Sequence, residues 1–100
     1  MSLDLPKKIE IIEVGPRDGL QNESTILKTD DKVEFIDRLI LAGCKNLEVT
    51  SFVRKDKIPQ MSDAEELFIK ISDKLNENIK LLGLVPNIKG LESAINCGVR

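Results

Sequence analysis

The chain has 100 residues, 41% of them hydrophobic and 32% charged, with a formal net charge of −2. That length allows at most one domain, of ordinary globular composition. The charge balance, the scattered lysines and arginines and only three aromatics (Phe35, Phe52, Phe68) argue against a nucleic-acid partner. No run of about 18 apolar residues is present, so no membrane partner is expected.

Residues 1–8 carry a proline and two lysines around no apolar core, which is not a secretory signal. Cys44 and Cys97 lie far apart, and two cysteines in such a chain fit a reducing, cytoplasmic setting better than a disulfide framework. Both read as small buried hydrophobes.

Residues 9–14 (Ile-Glu-Ile-Ile-Glu-Val) are short, apolar and β-branched, the pattern of a buried strand. A loop over 15–28 follows. Thr29 is placed to cap a helix with Asp30 and Asp31 in its first turn, where they favour the helix dipole. Val33, Ile36, Leu39 and Ile40 recur at helical spacing, and Gly43 ends that helix. Residues 47–52 form a second strand. Ser62 with Glu65 three residues on has the capping-box pattern. Ala64, Leu67, Phe68, Ile71 and Leu75 then share one helical face. Residues 79–85 form a third strand. Asn87 or a near neighbour caps a third helix with the apolar stripe Leu91, Ala94 and Ile95, and Gly98 stops it.

The order is βαβαβα, which specifies an α/β fold with a parallel sheet and helical crossovers. Strand ends near Val14, Ser51 and Val85 recur roughly every 35 residues, one βα unit each. Eight such units need about 250 residues. The count therefore reads as the first three units of a (β/α)8 TIM barrel, with residues 1–100 the N-terminal portion of a single catalytic domain. A flavodoxin-like sheet needs about five strands and fits less well.

Function in parallel β/α folds gathers at the carboxyl ends of the strands. Arg17, Asp18 and Gln21 follow the first strand, and Asn87 follows the third. Glu48 lies between Leu47 and Val49, so alternation turns it away from the helices, with Thr50 on its face and Ser51 near the strand end. A carboxylate there needs a partner, either Arg17 or a cation beside Asp18. Asp18 is a hard anionic oxygen ligand suited to Mg²⁺ or Mn²⁺. Arg17 is a fixed cation suited to a developing enolate. On spacing alone, a plain turn at Gly15–Gly19 and a structural ion pair of Arg17 with Asp18 or Glu48 are the commoner reading of such residues.

Residues 14–23, Val-Gly-Pro-Arg-Asp-Gly-Leu-Gln-Asn-Glu, resemble without a break the first strand and loop of the 3-hydroxy-3-methylglutaryl-CoA lyase family. The second strand, Glu48-Val49-Thr50-Ser51-Phe52-Val53, runs on to Pro59-Gln60-Met61 and Asp63, similar to that family's E-x-T-S-F-V…P-Q-M-x-D. Pro86-Asn87-Ile88-Lys89-Gly90 is similar to its P-N-x-K-G. Condensing relatives such as isopropylmalate synthases read more like L-R-D-G-x-Q, so Gly15-Pro16, Leu20 and Asn22-Glu23 favour the lyase.

The resemblance implies a metal-dependent retro-Claisen cleavage of 3-hydroxy-3-methylglutaryl-CoA to acetyl-CoA and acetoacetate. It implies catalytic roles for Arg17, Glu48 and Gln21, substrate contacts for Arg17, Gln21, Ser51 and Asn87, and Asp18 as ligand of Mg²⁺ or Mn²⁺. Residues 51–57 and Lys89 are expected near the thioester and the CoA arm, with a solvated surface role equally open for Lys89. The partner is an acyl-CoA substrate, and a homo-oligomer is compatible with the family.

The chain departs from the pattern in having no histidine. The family's remaining metal ligands, a His-x-His pair and an Asn, belong to later strands, as do a proton-transferring His and a Cys-bearing glycine loop. The 100 residues by themselves are therefore expected to be inactive. The alternatives are an acetyl-CoA-dependent condensing enzyme, or a non-catalytic fragment that folds only by association.

Overall fold

The structure is a computed structural model that describes residues 4–74 and 78–100. Its elements follow the expected alternation: β1 (Ile12–Glu13), α1 (Thr29–Leu41), β2 (Asn46–Ser51), α2 (Ala64–Ile71), β3 (Lys80–Leu84) and α3 (Ile88–Asn96). The three strands form one parallel sheet in the order β1-β2-β3.

The central strand β2 organises the core. Leu47 and Val49 are fully buried and pack with Ile36 of α1, Leu67, Phe68 and Ile71 of α2, and Leu81 of β3. Burying a side chain of this size is worth about 1.5–3 kcal/mol, and the helical spacing of Ile36 and of Leu67, Phe68 and Ile71 aims them at the sheet. Leu75, expected on the same face, lies outside the described residues.

Two helix ends are built as expected. Gly43 and Gly98 take φ of 106° and 100°, a region that residues with a Cβ rarely enter. Beyond them, the N–H of Cys44 reaches the Leu39 carbonyl at 3.0 Å and that of Val99 reaches Ala94 at 3.0 Å. These are Schellman-type closures. Asn87 caps α3, accepting from the Gly90 N–H at 2.8 Å.

Other expectations are corrected. β1 pairs only at Ile12–Glu13, against Asn46 and Leu47, not over 9–14. It is an edge strand with a partner on one side, and Ile9 and Ile11 are exposed. Residue 28, not Thr29, occupies the cap position of α1, and Asp63 takes the cap position of α2 without a side-chain cap. Thr29 and Asp63 instead spend their side chains on each other, with Thr29 Oγ1 donating to Asp63 Oδ2 at 2.7 Å. Of the expected α3 stripe only Ala94 is buried, while Leu91 and Ile95 are exposed.

The register of β2 on β3 skips a residue. Glu48 stands opposite Leu82 and Thr50 opposite Gly83, leaving Val49 as the extra residue of a bulge. Alternation is broken there. By the pairing, Ser51 (opposite Leu84) shares the side of Glu48, and Thr50 does not. Thr50 is fully buried, with its hydroxyl 3.8 Å from the Met61 sulfur.

Candidate active site

The loop after β1 begins as a widened helical turn over Gly15–Gly19. The Val14 carbonyl accepts from the N–H groups of Arg17, Asp18 and Gly19, at 3.1, 2.7 and 3.3 Å. The turn starts where Pro16 supplies a helical φ and lacks the N–H that would otherwise go unmet. It brings two consecutive charged side chains to the carboxyl edge of the sheet.

Arg17 Nε donates to Glu48 Oε1 across 31 residues of sequence. Both side chains are about four-fifths buried (18% exposed), where a charge-assisted hydrogen bond is strong and an unpaired charge costly. Arg17 Nη1 also lies 3.4 Å from Asp18 Oδ1. Asp18 itself is half-exposed, and that long contact leaves its carboxylate open to a ligand. Its backbone carbonyl accepts from Asn22 Nδ2 at 2.8 Å, which steadies the turn.

Gln21 sits just beyond, and its Oε1 is buried without a hydrogen-bond partner among the described residues. Such an oxygen costs about 1–3 kcal/mol unless something donates to it. Ser51 is buried at the end of β2, on the Glu48 side. Asn87 lies at the end of β3, with its side-chain oxygen committed to the cap of α3. The structure thus brings Arg17 into direct contact with both Glu48 and Asp18. Ser51 and Asn87 belong to the same carboxyl edge, and neither makes a described side-chain hydrogen bond with the trio.

Between the ends of β2 and β3 and the starts of α2 and α3 lies an open cleft of about 940 Å³. Asn87, Lys89, Arg54 and Lys55 line it beside the apolar Phe52, Met61 and Ile88. Gly90 also lines it, and both Gly83 and Gly90 lie close against Phe52. A Cβ on Gly83 would stand 2.7 Å from the Phe52 ring, and one on Gly90 would collide with the Phe52 carbonyl oxygen.

Asp18 fits one ligand position of a divalent cation, a hard oxygen with room beside it. Among the described residues no group of three or more His, Cys, Asp or Glu side chains could hold an ion.

Sequence reasoning missed Lys32. It is only 2% exposed and donates to Asp63 Oδ1 at 2.6 Å and to the Gln60 carbonyl at 2.5 Å. Its position four residues before Ile36 was the available signal, since that spacing puts it on the buried face of α1.

Parallel βα units with charged groups gathered at the carboxyl edge of the sheet place the chain in the class of α/β-barrel proteins. A family model described as HMGL-like matches residues 8–100, and the chain belongs to that family. It is 42% identical over 98 residues to the 3-hydroxy-3-isohexenylglutaryl-CoA/hydroxy-methylglutaryl-CoA lyase of Pseudomonas aeruginosa, covering 98% of this chain and 32% of that protein. It is 45% identical over 96 residues to the mitochondrial hydroxymethylglutaryl-CoA lyase of Homo sapiens, covering 96% of this chain and 29% of the relative.

The crystal structure of hydroxymethylglutaryl-CoA lyase from Pseudomonas aeruginosa superposes with a TM-score of 0.87 at 42% identity, over 97% of this chain and 32% of that one. The three units are therefore consecutive βα units of the barrel fold. The chain spans about a third of the length of these relatives. Relatives bear both mitochondrial and cytoplasmic names. No described helix is long and apolar enough to cross a membrane.

Proposed function

We propose that this chain supplies the Arg–Asp–Glu part of a hydroxymethylglutaryl-CoA lyase active site. In this reading the whole protein cleaves 3-hydroxy-3-methylglutaryl-CoA to acetyl-CoA and acetoacetate, and residues 1–100 are a portion of its single barrel domain. The observation that carries it is the Arg17–Glu48 pair joining two strand ends, with the Asp18 carboxylate open beside it.

The reaction breaks the C2–C3 bond of the substrate. The C3 hydroxyl gives its proton to a base outside these 100 residues, the resulting alkoxide collapses to the ketone of acetoacetate, and the bonding pair moves into the thioester as an enolate, whose carbon then takes up a proton. Arg17 faces that enolate oxygen and stabilises charge that appears only as the bond breaks. Glu48 fixes the guanidinium so that no reorganisation is needed at that moment. The orphaned Gln21 oxygen accepts from the substrate, and Ser51 and Asn87 contact it at the strand ends. Asp18 is one ligand of Mg²⁺ or Mn²⁺, its remaining ligands lying outside these 100 residues. When bound, that cation lowers the pKa of the substrate hydroxyl and polarises its neighbouring oxygens.

The acyl-CoA is the partner this reading requires. Support comes from the names of the relatives and from Arg54, Lys55 and Lys89 around the apolar cleft. Cytoplasmic placement belongs to the same proposal, supported by two free cysteines, and a homo-oligomer is compatible with it.

Acetoacetate release from 3-hydroxy-3-methylglutaryl-CoA by the protein that carries this chain, with Mg²⁺ supplied, tests the reading. A protein that instead condenses acetyl-CoA with a 2-oxo acid and cleaves nothing would overturn it.

A further inference from the structure

We propose that Lys32 is a positioning residue, which clamps the connection between β2 and α2 to the loop that carries Arg17, Asp18 and Gln21. The chain of contacts is continuous. From α1, Lys32 Nζ donates to the Gln60 carbonyl at 2.5 Å and to Asp63 Oδ1 at 2.6 Å. Thr29 holds the other Asp63 oxygen at 2.7 Å. The Gln60 side chain then donates through Nε2 to the Glu23 carbonyl at 2.7 Å. One buried ammonium thus ties the start of α1 to the segment Pro59–Met61, and that segment ties down the far end of the β1–α1 loop. Met61, between Gln60 and Asp63, packs under Thr50, next to Ser51.

Burial of a lysine to 2% exposure is costly, and packing alone would be served by an apolar side chain of the same length. What the ammonium adds is direction. It bonds a backbone carbonyl and a carboxylate at the same time, and so fixes the segment relative to α1 in a way an apolar contact does not. This gives Pro59, Gln60, Met61 and Asp63, which touch neither Arg17 nor Glu48 in any described hydrogen bond, a shared task. They set where the two loops of the site stand.

The clamp itself stands on geometry, and its effect on turnover rests on the lyase reading. The test is hydrogen–deuterium exchange with kinetics, on the whole protein, for Lys32→Met and for Gln60→Leu, whose bond lies at the surface and should leave the fold intact. Lys32→Met should speed exchange over residues 20–28 and 58–63 about tenfold more than it speeds exchange in β3, which reports the general loss of stability. It should lower kcat about tenfold while leaving KM within about twofold. Gln60→Leu should loosen residues 20–28 and leave 58–63 protected. Equal acceleration everywhere in Lys32→Met, with none in Gln60→Leu, would reduce Lys32 to support of the fold and overturn the clamp, as would unchanged exchange in both. If the wild type cleaves no substrate, the lyase reading fails while the exchange pattern still decides the clamp.

Discussion

Gly90 of α3 lies directly against the carbonyl oxygen of Phe52 at the end of β2, with no room for a side chain between them. The obstacle is backbone, which cannot rotate away. Gly90→Ala would gain about 1 kcal/mol of helix propensity, but forcing the contact costs about 1–3 kcal/mol. The collision should win. Thermal melting should show a Tm lowered by several degrees, and a rise would show that α3 shifts freely.

Arg17→Gln leaves Glu48 part-buried without its cation. Loss of one group that stabilises a developing oxyanion lowers kcat by about 10²–10³. The cleavage rate of the whole protein should fall by at least that much. Glu48→Gln still accepts from Arg17 and should lose less. The reverse order would reject Arg17 as the enolate partner.

Asp18→Asn removes the charge that the proposed cation needs but keeps the shape. Calorimetric titration with Mn²⁺ should show affinity reduced at least about tenfold, with thermal stability nearly unchanged because Asp18 is half-exposed. The 100 residues alone, with a single proposed ligand, should show no metal-dependent cleavage.

Lys32→Met leaves Asp63, whose side chain is only 16% exposed, with the Thr29 hydroxyl but no cation beside it. Breaking a buried pair from one side costs about 3–5 kcal/mol, a large share of a typical domain's 5–15. Urea denaturation should show a lower midpoint with the slope preserved. Replacing both partners by apolar residues should recover most of the loss.

Burial pushes the Cys97 thiol above its ordinary value, more than its backbone hydrogen bonds pull it down. The thiolate therefore forms only at higher pH in the native state. As pH rises past the ordinary thiol range, the unfolded chain releases that proton first, and folding weakens. Iodoacetamide at pH 8 should alkylate Cys97 about tenfold more slowly in the native protein than in urea.

Much of this was legible in the sequence because it is local. The β and α periods, Gly43 and Gly98 as helix ends, and Asn87 as a cap all follow from a few neighbouring residues. The partnership of Arg17 with Glu48 followed from asking what a carboxylate beside a strand end requires. What escaped was tertiary competition. Thr29, Ser62 and Asp63 have the chemistry of helix caps, but Asp63 was claimed by Lys32 and Thr29 from another helix. β1 pairs over only Ile12–Glu13 of its longer apolar run. The turn at Gly15–Gly19 is helical, although Gly-Pro read as a loop.

The bulge at Val49 bears on which changes β2 can take. A substitution at Ser51 changes one group on the site edge. A one-residue deletion at Val49 would leave Glu48, Thr50 and Ser51 opposite Leu82, Gly83 and Leu84 in plain alternation, with Ser51 still on the Glu48 side. The bulge thus adds a buried core residue without moving the site edge, and any graft of a new acyl preference onto this strand must keep Glu48 and Ser51 opposite Leu82 and Leu84.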